Sequence, residues 1–284
     1  MGTYVTLTLA SRESDEIIDG FNLIRDIEMS LSSYNQNAKV YKLNKTKQVE
    51  YDDYLLDAIK SSLSLYEQTD GYFDITIGSL TRELYHFGEE ERVPLDRERR
   101  DAYLDIDGIS VDEKNITLEP NITIDLGGIG KGYAVDKVAE YFKSKGINIG
   151  KIALSGDIRC INPSTVFIDS PFGDKPIMKL QTLHPDTSIS TSGTYRRFVK
   201  DRSHHHLINP KTKKQSQDFI SVTLITLANN TLIDGFATAI GTMDELDALK
   251  LLTKHPEIGF ILVKSNKNII YGNLDGLVIT LSLQ

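Results

Sequence analysis

The sequence is poor in cysteine, in long apolar runs and in positive charge, and these absences limit the kinds of protein it can be. A single cysteine, Cys160, leaves no second thiol for an internal disulfide bond. No apolar run approaches the roughly 20 residues that a membrane-spanning helix needs. The formal net charge is −8 and no long basic tract is present. A nucleic-acid partner is therefore not expected, because phosphate backbones attract basic surfaces.

What remains is an ordinary globular composition over 284 residues, of which 40% are hydrophobic and 25% charged. A chain of this length can bury a substantial core in one large or two modest domains. Residues 1–9 predict a strand, and neither the basic nor the apolar region of a signal peptide precedes it. Two alternatives follow, a cytoplasmic protein or a protein whose leader has been removed.

Apolar residues recur at helical spacing in four segments, which predict helices around residues 17–31, 56–66, 135–142 and 240–252. We expect the third helix to end at Gly146 and the fourth before Pro256. Strands are predicted at 116–118, 122–126, 151–154, 166–169, 177–183, 220–226, 259–264 and 277–283. The mixture has no regular βα repeat and predicts an α+β fold, with residues 88–100 as a charged surface insertion.

The most informative segment is residues 124–136, a strand-like run that ends in a glycine turn around Lys131 and opens a helix. Glycines and an electropositive helix start let backbone N–H groups and a cation approach phosphate oxygens. Neither familiar phosphate motif is complete, since Asp125, Gly132 and Tyr133 stand at positions that those motifs reserve for other residues. Such a turn is also typical of a tight connection without a ligand.

A second candidate is the pair Asp234 and Thr238 in the fourth predicted helix. Residues four apart share one helix face, so their oxygens could converge on a hard cation such as Mg²⁺. The alternative is that Asp234 only caps the helix start.

A third candidate is a cluster of hydroxyl residues around Gly193, followed by His204, His205 and His206. These side chains could supply hydrogen-bond donors and a base. Three adjacent histidines rarely bind one metal, because neighbours on an extended chain point to opposite faces.

In this order and at these distances, the three segments resemble the ApbE-like family, the FAD:protein FMN transferases. The similarity runs over nearly the whole chain. It includes the blocks SYN at 33–35, LN at 43–44, GYFDITIG at 71–78 and HLINP at 206–210, and residues 1–3 resemble the usual start of the mature domain. The loop before Asp157 is shorter than the usual one.

The resemblance implies a single domain over residues 1–284, with a T-fold-like α+β architecture of mixed sheets packed with helices. The flavin site would lie in a cleft between two interleaved subdomains. It also implies a periplasmic or cell-envelope location and a removed leader, which as a lipoprotein leader could tether the protein to the membrane.

The implied activity is Mg²⁺-dependent transfer of FMN from FAD to a threonine hydroxyl of an acceptor flavoprotein, with release of AMP. The acceptor would be a redox-complex subunit or an FMN-binding domain. Two alternatives stay open, hydrolysis of FAD to FMN and AMP at the same site and flavin binding without catalysis. The Asp234–Thr238 segment also faintly resembles the acceptor sequence itself, so self-flavinylation is a further alternative.

Carried onto this chain, the resemblance implies metal binding by Asp234, Thr238 and the backbone carbonyl of Gly130. Lys131 would lie near the diphosphate. His206 would act on the attacking hydroxyl as a base, with Asp74 or Asp136 as alternatives, because a threonine hydroxyl is a weak nucleophile near neutral pH. The residues implied to line the flavin and adenine pockets are Tyr34, Phe73, Asp74, Asp125, Gly128, Lys131, Tyr133, Asp136, Ser192, Gly193, Ile208 and Pro210.

Overall fold

The computed structural model describes residues 3–281. Within these bounds the helices are α1 (Ser14–Leu31), α2 (Lys39–Thr46), α3 (Asp53–Gln68), α4 (Gly78–Thr81), α5 (Asp96–Asp101), α6 (Gly130–Ser144), α7 (Asn230–Ile240) and α8 (Glu245–Lys254). The strands are β1 (Val5–Thr8), β2 (Gln48–Glu50), β3 (Ile109–Val111), β4 (Asn115–Leu118), β5 (Lys151–Leu154), β6 (Asp157–Cys160), β7 (Thr165–Ile168), β8 (Met178–Thr182), β9 (Thr187–Gly193), β10 (Ile208–Asn209), β11 (Lys214–Gln215), β12 (Phe219–Thr226), β13 (Gly259–Lys264), β14 (Ile269–Gly272) and β15 (Val278–Leu281).

A central antiparallel sheet of seven strands has the order β1-β5-β6-β9-β12-β13-β14. Helices α6 and α7 cover one of its faces, where they contact β5, β6, β9 and β12. On the other face, Ile189, Ile225 and Ile261 pack against Val166 and Leu180 of the small sheet β15-β8-β7. The layers bury apolar side chains on both faces of the central sheet, which is the main source of stability in such a fold.

The α+β class is confirmed, and most predicted elements lie where the sequence pattern put them. Helices α1, α3 and α6 match three predicted helices, and Gly146 follows α6 with a φ of 74°. Strands β4, β5, β7, β8, β12 and β13 match predicted strands with small shifts at their ends. The first and last predicted strands correspond to β1 and β15, and their residues 1–2 and 282–283 lie outside the described part of the chain. Segment 88–100 is largely exposed, as predicted, and includes the start of α5.

The strand predicted at 122–126 is wrong, because side chains replace a ladder partner there. The N–H of Ile124 donates to Oδ1 of Asn44, and its carbonyl accepts from Nδ2 of Asn44, both at 2.8 Å. The next N–H, of Asp125, donates to the carbonyl of Ile75 at 2.8 Å. The extended segment is thus fastened to α2 and to the turn before α4, and this fixes where the glycine turn begins.

The fourth predicted helix is also wrong as a single helix, since α7 ends at Ile240 and α8 begins at Glu245. The intervening carbonyls of Thr242 and Met243 accept hydrogen bonds from Asn209 and Ser216, at 2.9 and 3.0 Å, and so are lost to helix continuation.

The start of α7 also answers whether Asp234 is a cap. The residue that caps this helix is Asn229, whose side chain accepts from the N–H of Leu232 at 2.8 Å. Asp234 lies beyond the first turn and is therefore not a cap.

Candidate active site

The helix-facing side of the central sheet carries a polar stripe on two adjacent strands. Asp157 and Arg159 of β6 are buried, as are Ser188 and Ser190 of β9. Since side chains alternate along a strand, Ile158 faces the small sheet instead. The stripe lies beneath α6 and α7 and forms the floor of a polar site.

Lys131, in the first turn of α6, is the cation of this site. Its ammonium nitrogen lies 3.1 and 3.2 Å from the two carboxylate oxygens of Asp234 and 3.2 Å from Oδ2 of Asp157. The carboxylate side chains are 1% and 0% exposed, whereas 27% of the Lys131 side chain is exposed. Two buried carboxylates therefore share one ammonium group.

The unbalanced charge perturbs all three groups. Burial and the nearby charge of Asp157 raise the pKa of Asp234 to about 7, although Lys131 opposes the rise. Burial likewise raises the pKa of Asp157. Burial alone would lower the pKa of Lys131, but the two carboxylates together raise it above its usual value. A further cation at this cluster would relieve the repulsion between the carboxylates.

Gly132 allows α6 to approach α7 closely enough for this cluster to form. A Cβ at position 132 would lie 2.5 Å from the carbonyl oxygen of Asn230 and 2.8 Å from Cβ of Asp234. The N–H of Gly132 donates to Oδ2 of Asp234 at 3.0 Å, which fixes that carboxylate against the electropositive start of α6.

Thr238 lies one turn after Asp234 on α7 and faces the glycine turn. Its hydroxyl donates to the carbonyl of Gly128 at 3.3 Å. A Cβ at position 128 would lie 2.9 Å from the ring of Phe73, so the turn can pass between Phe73 and Thr238 only as glycine. Thr238 therefore contacts the carbonyl of Gly128, and the carbonyl of Gly130 stays a predicted metal ligand.

The donor set at this place fits a hard divalent cation. The Asp234 carboxylate, the Thr238 hydroxyl and the turn carbonyls are oxygen ligands of the kind that Mg²⁺ prefers. Within residues 3–281, no three His, Cys, Asp or Glu side chains are grouped so that they could hold a metal ion. Water and ligand oxygens would complete the coordination shell, as is usual for Mg²⁺.

His206 lies within electrostatic reach of Lys131. Its Nδ1 is 3.1 Å from the carbonyl oxygen of Arg197, and its backbone N–H donates to the same oxygen at 3.2 Å. Since a carbonyl oxygen only accepts, Nδ1 carries the proton and Nε2 is left as an acceptor. Burial, together with the charge of Arg197, lowers the pKa of His206 to about 3, so the imidazole is neutral at physiological pH.

The other two adjacent histidines point elsewhere, as alternation along an extended chain predicts. Nε2 of His205 lies 2.8 Å from the carbonyl oxygen of Ser216. His204 pairs with Asp201 at 3.3 Å.

Tyr34 and two arginines form a wall beside His206. The guanidinium of Arg82 lies 3.8 Å from the centre of the Tyr34 ring, and Arg197 donates a hydrogen bond to the Tyr34 hydroxyl. Burial, with the nearby charge of Asp125, raises the pKa of Tyr34. Asp125 accepts from the N–H of Gly127 at 2.9 Å, so this wall continues into the glycine turn.

Four further predicted pocket residues lie at the end of β9 and on the β10–β11 hairpin. By alternation, Ser192 shares the helix-facing side of β9 with Ser190, and Gly193 ends that strand. Ile208 is buried with Leu80, Tyr85, Phe87 and Val199, and Pro210 follows it in the turn between β10 and β11.

Asp136 of α6 connects this helix to two neighbouring elements. Its carboxylate accepts from the N–H groups of Asn230 and Thr231 at the start of α7, both at 2.8 Å. It also pairs with Arg159 on the polar stripe. Asp136 therefore joins α6, α7 and β6.

Asp74 and Tyr133 hydrogen-bond to residues outside the cluster of Lys131, Asp157 and Asp234. Oδ1 of Asp74 accepts from the N–H and hydroxyl of Thr76, at 2.8 and 2.7 Å, and so caps the short 3₁₀ turn Ile75–Ile77. The Tyr133 hydroxyl donates to Asp57 at 3.3 Å. Tyr133, Asp57 and Lys137 line a cavity of about 480 Å³ between α3, α6 and the start of α7.

The sequence prediction missed Asp157, Arg82 and Arg197 as site residues. A weak signal for Asp157 was present, because this acid alternates with apolar Ile158 in the pattern of a half-buried strand. The two arginines carry no such local signal, since their proximity to Tyr34 arises from tertiary structure.

A family model described as the ApbE family matches residues 1–262. The FAD:protein FMN transferase of Vibrio cholerae is 29% identical over 242 residues, which cover 78% of this chain and 72% of that protein. The enzyme of the same name from Haemophilus influenzae is 23% identical over 289 residues, which cover 93% and 82%.

Solved structures give the same likeness. The ApbE protein of Thermotoga maritima matches with a TM-score of 0.86 and 26% identity, over 95% of this chain and 94% of that one. The flavin transferase ApbE of Vibrio cholerae shares the fold, with a TM-score of 0.80 and 22% identity over 96% and 94% of the two chains.

Proposed function

Because the chain belongs to the ApbE family, we propose that it is an FAD:protein FMN transferase that acts on a threonine hydroxyl of an acceptor protein and releases AMP. The observation that carries the proposal is the cluster of Lys131, Asp157 and Asp234 at the start of α6, with His206 within electrostatic reach. It combines a cation, an oxygen donor set and a neutral base in one place.

The reaction needs these three parts. The acceptor hydroxyl oxygen attacks the phosphorus of the FMN half, the bond to the bridging oxygen breaks, and AMP leaves with that oxygen. Mg²⁺ bound by Asp234, Thr238 and a turn carbonyl would neutralise charge on the diphosphate and on the departing phosphate.

The chain's own residues supply the rest of the chemistry. Lys131 and the N–H groups at the start of α6 present positive charge to the diphosphate. His206 accepts the hydroxyl proton at Nε2, and the bond between Nδ1–H and the Arg197 carbonyl keeps the ring oriented.

The ring of Tyr34 is the element of the wall that suits the flavin. Tyr34 is 37% exposed and the Arg82 guanidinium lies 3.8 Å from the centre of its ring, so Tyr34 offers an accessible aromatic surface on which an aromatic group could stack. The acceptor threonine and a cell-envelope location stay predictions that rest on the resemblance.

Mass spectrometry of an acceptor domain incubated with the protein, FAD and Mg²⁺ tests the proposal, with AMP measured in the same samples. We expect the acceptor to gain the mass of one FMN, with equimolar AMP. In Asp234→Asn both products should fall at least about 100-fold, since the developing charge loses its main counterbalance.

A matched control is Asp247→Asn, which changes a carboxylate on α8 that hydrogen-bonds to Tyr72. This variant should keep wild-type rates. AMP without the adduct would favour FAD hydrolysis, and the absence of both products would contradict an enzymatic role.

A further inference from the structure

The position of Lys131 raises the question of what it does when a cation occupies Asp234. Its ammonium lies within 3.2 Å of both carboxylate oxygens of Asp234, so it covers the oxygens that a metal ion would use. Lys131 and a divalent cation therefore compete for one carboxylate.

Asp157 offers the ammonium a second partner. Oδ1 of Asp157 accepts from the Ser190 hydroxyl at 2.6 Å. In the described part of the chain, no donor makes an aligned hydrogen bond to Oδ2, although this atom is buried and only 3.2 Å from the Lys131 nitrogen. A buried carboxylate oxygen without a full partner can accept a lysine that moves toward it.

The two carboxylates are fixed, whereas the lysine can move. The N–H of Gly132 holds Asp234 and the Ser190 hydroxyl holds Asp157. Lys131 is partly exposed and has four rotatable side-chain bonds, so a small shift can take its ammonium away from Asp234 while it stays beside Asp157.

We propose that Lys131 bridges Asp234 and Asp157 in the metal-free protein, where it occupies the cation position on Asp234, and that it is held by Asp157 alone when the divalent cation binds. Asp157 is then a positioning residue, which holds Lys131 beside the diphosphate and away from the metal ligands. The inference rests on the proposed function, because it takes the cation of that function as the competitor.

This exchange predicts effects of opposite sign on metal affinity. Lys131→Met removes the competitor, so Mn²⁺ should bind at least about tenfold more tightly than in the wild type. Asp157→Asn removes the alternative partner and leaves Lys131 on Asp234, so Mn²⁺ should bind at least about tenfold more weakly.

The measurement is a titration with Mn²⁺ alone, in which electron paramagnetic resonance reports the free ion, without FAD and at one fixed alkaline pH. Lys137→Met is the matched control, since Lys137 lies on the same helix and pairs with Asp57 and Glu140 outside the cluster. Circular dichroism checks that each variant is folded.

Weaker Mn²⁺ binding in both Lys131→Met and Asp157→Asn would show a merely structural role and overturn the inference. Unchanged affinity in Lys131→Met would overturn it as well, and this comparison decides the matter if Asp157→Asn does not fold. FMN transfer by the wild type, assayed in parallel, separates the two proposals. Transfer without the affinity gain rejects the exchange alone, whereas absence of both Mn²⁺ binding and transfer rejects the proposed function too.

Discussion

At the scale of single residues, the site depends on polar groups buried where a protein interior usually holds apolar side chains. Asp157 and Asp234 are almost fully buried and share one lysine. A buried ion pair of this kind contributes little to stability, because desolvation offsets the attraction between the charges. Such a costly arrangement is typical of functional sites, where perturbed groups serve chemistry.

His206 gives a prediction about the pH dependence of the reaction. Burial lowers its pKa to about 3 from an ordinary value of 6.5, so the imidazole of the free enzyme is unprotonated at pH 5 as well as at pH 7. The dependence of kcat/KM on pH reports groups of the free enzyme, so it should show no loss of rate near pH 6.5 from this residue.

The measurement is kcat/KM for FMN transfer across this range, for the wild type and for His206→Gln. The variant should be slower by about tenfold or more at every pH, a smaller loss than for a base whose pKa matches the working pH, because a base with a pKa of about 3 is weak. An acidic fall near the ordinary histidine pKa that disappears in His206→Gln would contradict the prediction.

At the scale of elements, the site is the junction of α6 and α7 above β6 and β9. The junction requires close approach of the two helices, and Gly132 and Gly130 differ in what they contribute to it. A Cβ at position 132 would meet the backbone of Asn230 at 2.5 Å, whereas one at position 130 would meet no atom within 4 Å.

Gly132→Ala and Gly130→Ala form a matched pair that tests this junction. Gly132→Ala should lower the free energy of unfolding by about 1–3 kcal/mol, because the methyl group forces α6 away from α7. Gly130→Ala should be neutral or stabilising by up to about 1 kcal/mol, since alanine favours a helix. Urea unfolding measures both, and equal effects would show that the close approach does not limit stability.

Asp136 joins the same elements through charge. Asp136→Ala leaves Arg159 buried without its partner and two N–H groups at the start of α7 without an acceptor, so we expect a loss of about 3–5 kcal/mol in the free energy of unfolding. Asp57→Ala removes a half-exposed carboxylate that pairs with Lys137 and should cost less than about 1 kcal/mol. Similar losses in the two variants would mean that Asp136 does not connect the elements.

At the scale of the whole molecule, what could be predicted from the sequence depended on whether its cause was local. Helical periodicity and the glycine turn are local, and α1, α3 and α6 followed from them. The break between α7 and α8 is only partly local: Asp244 caps the start of α8, whereas Asn209 and Ser216, which are distant in sequence, hydrogen-bond to the carbonyls of the break.

The residues of the candidate site fall into the same two groups, those with a local sequence signal and those that tertiary structure brings to the site. Lys131 and Asp234 were found through their motifs, and Asp157 joins them only once β6 lies beneath α6.

None of the helices in residues 3–281 combines the length and apolar character needed to cross a membrane.

The stability of the whole molecule should carry the signature of the buried carboxylates. The pKa of Asp234 rises from 3.8 to about 7 on folding, chiefly through burial. Between these values the folded state retains a proton that the unfolded state has released. The contribution of Asp234 to the free energy of unfolding therefore falls as pH rises through this window.

Urea unfolding of the metal-free wild type and Asp234→Asn, at several pH values across this window and with a chelator present, isolates the effect. Groups remote from the cluster contribute the same slope to both proteins, so the difference between the two curves reports Asp234 together with the adjacent Asp157. Across the full window the wild type should lose about 4 kcal/mol relative to the variant. Mg²⁺ binds the ionised carboxylate, so adding it should raise the stability of the wild type above pH 7 and not below pH 5, by about 2.7 kcal/mol at 100 times its Kd. Parallel curves for the two proteins would mean that the folded protein does not destabilise the Asp234 carboxylate, and a Mg²⁺ effect equal at both pH values would mean that the ion binds elsewhere.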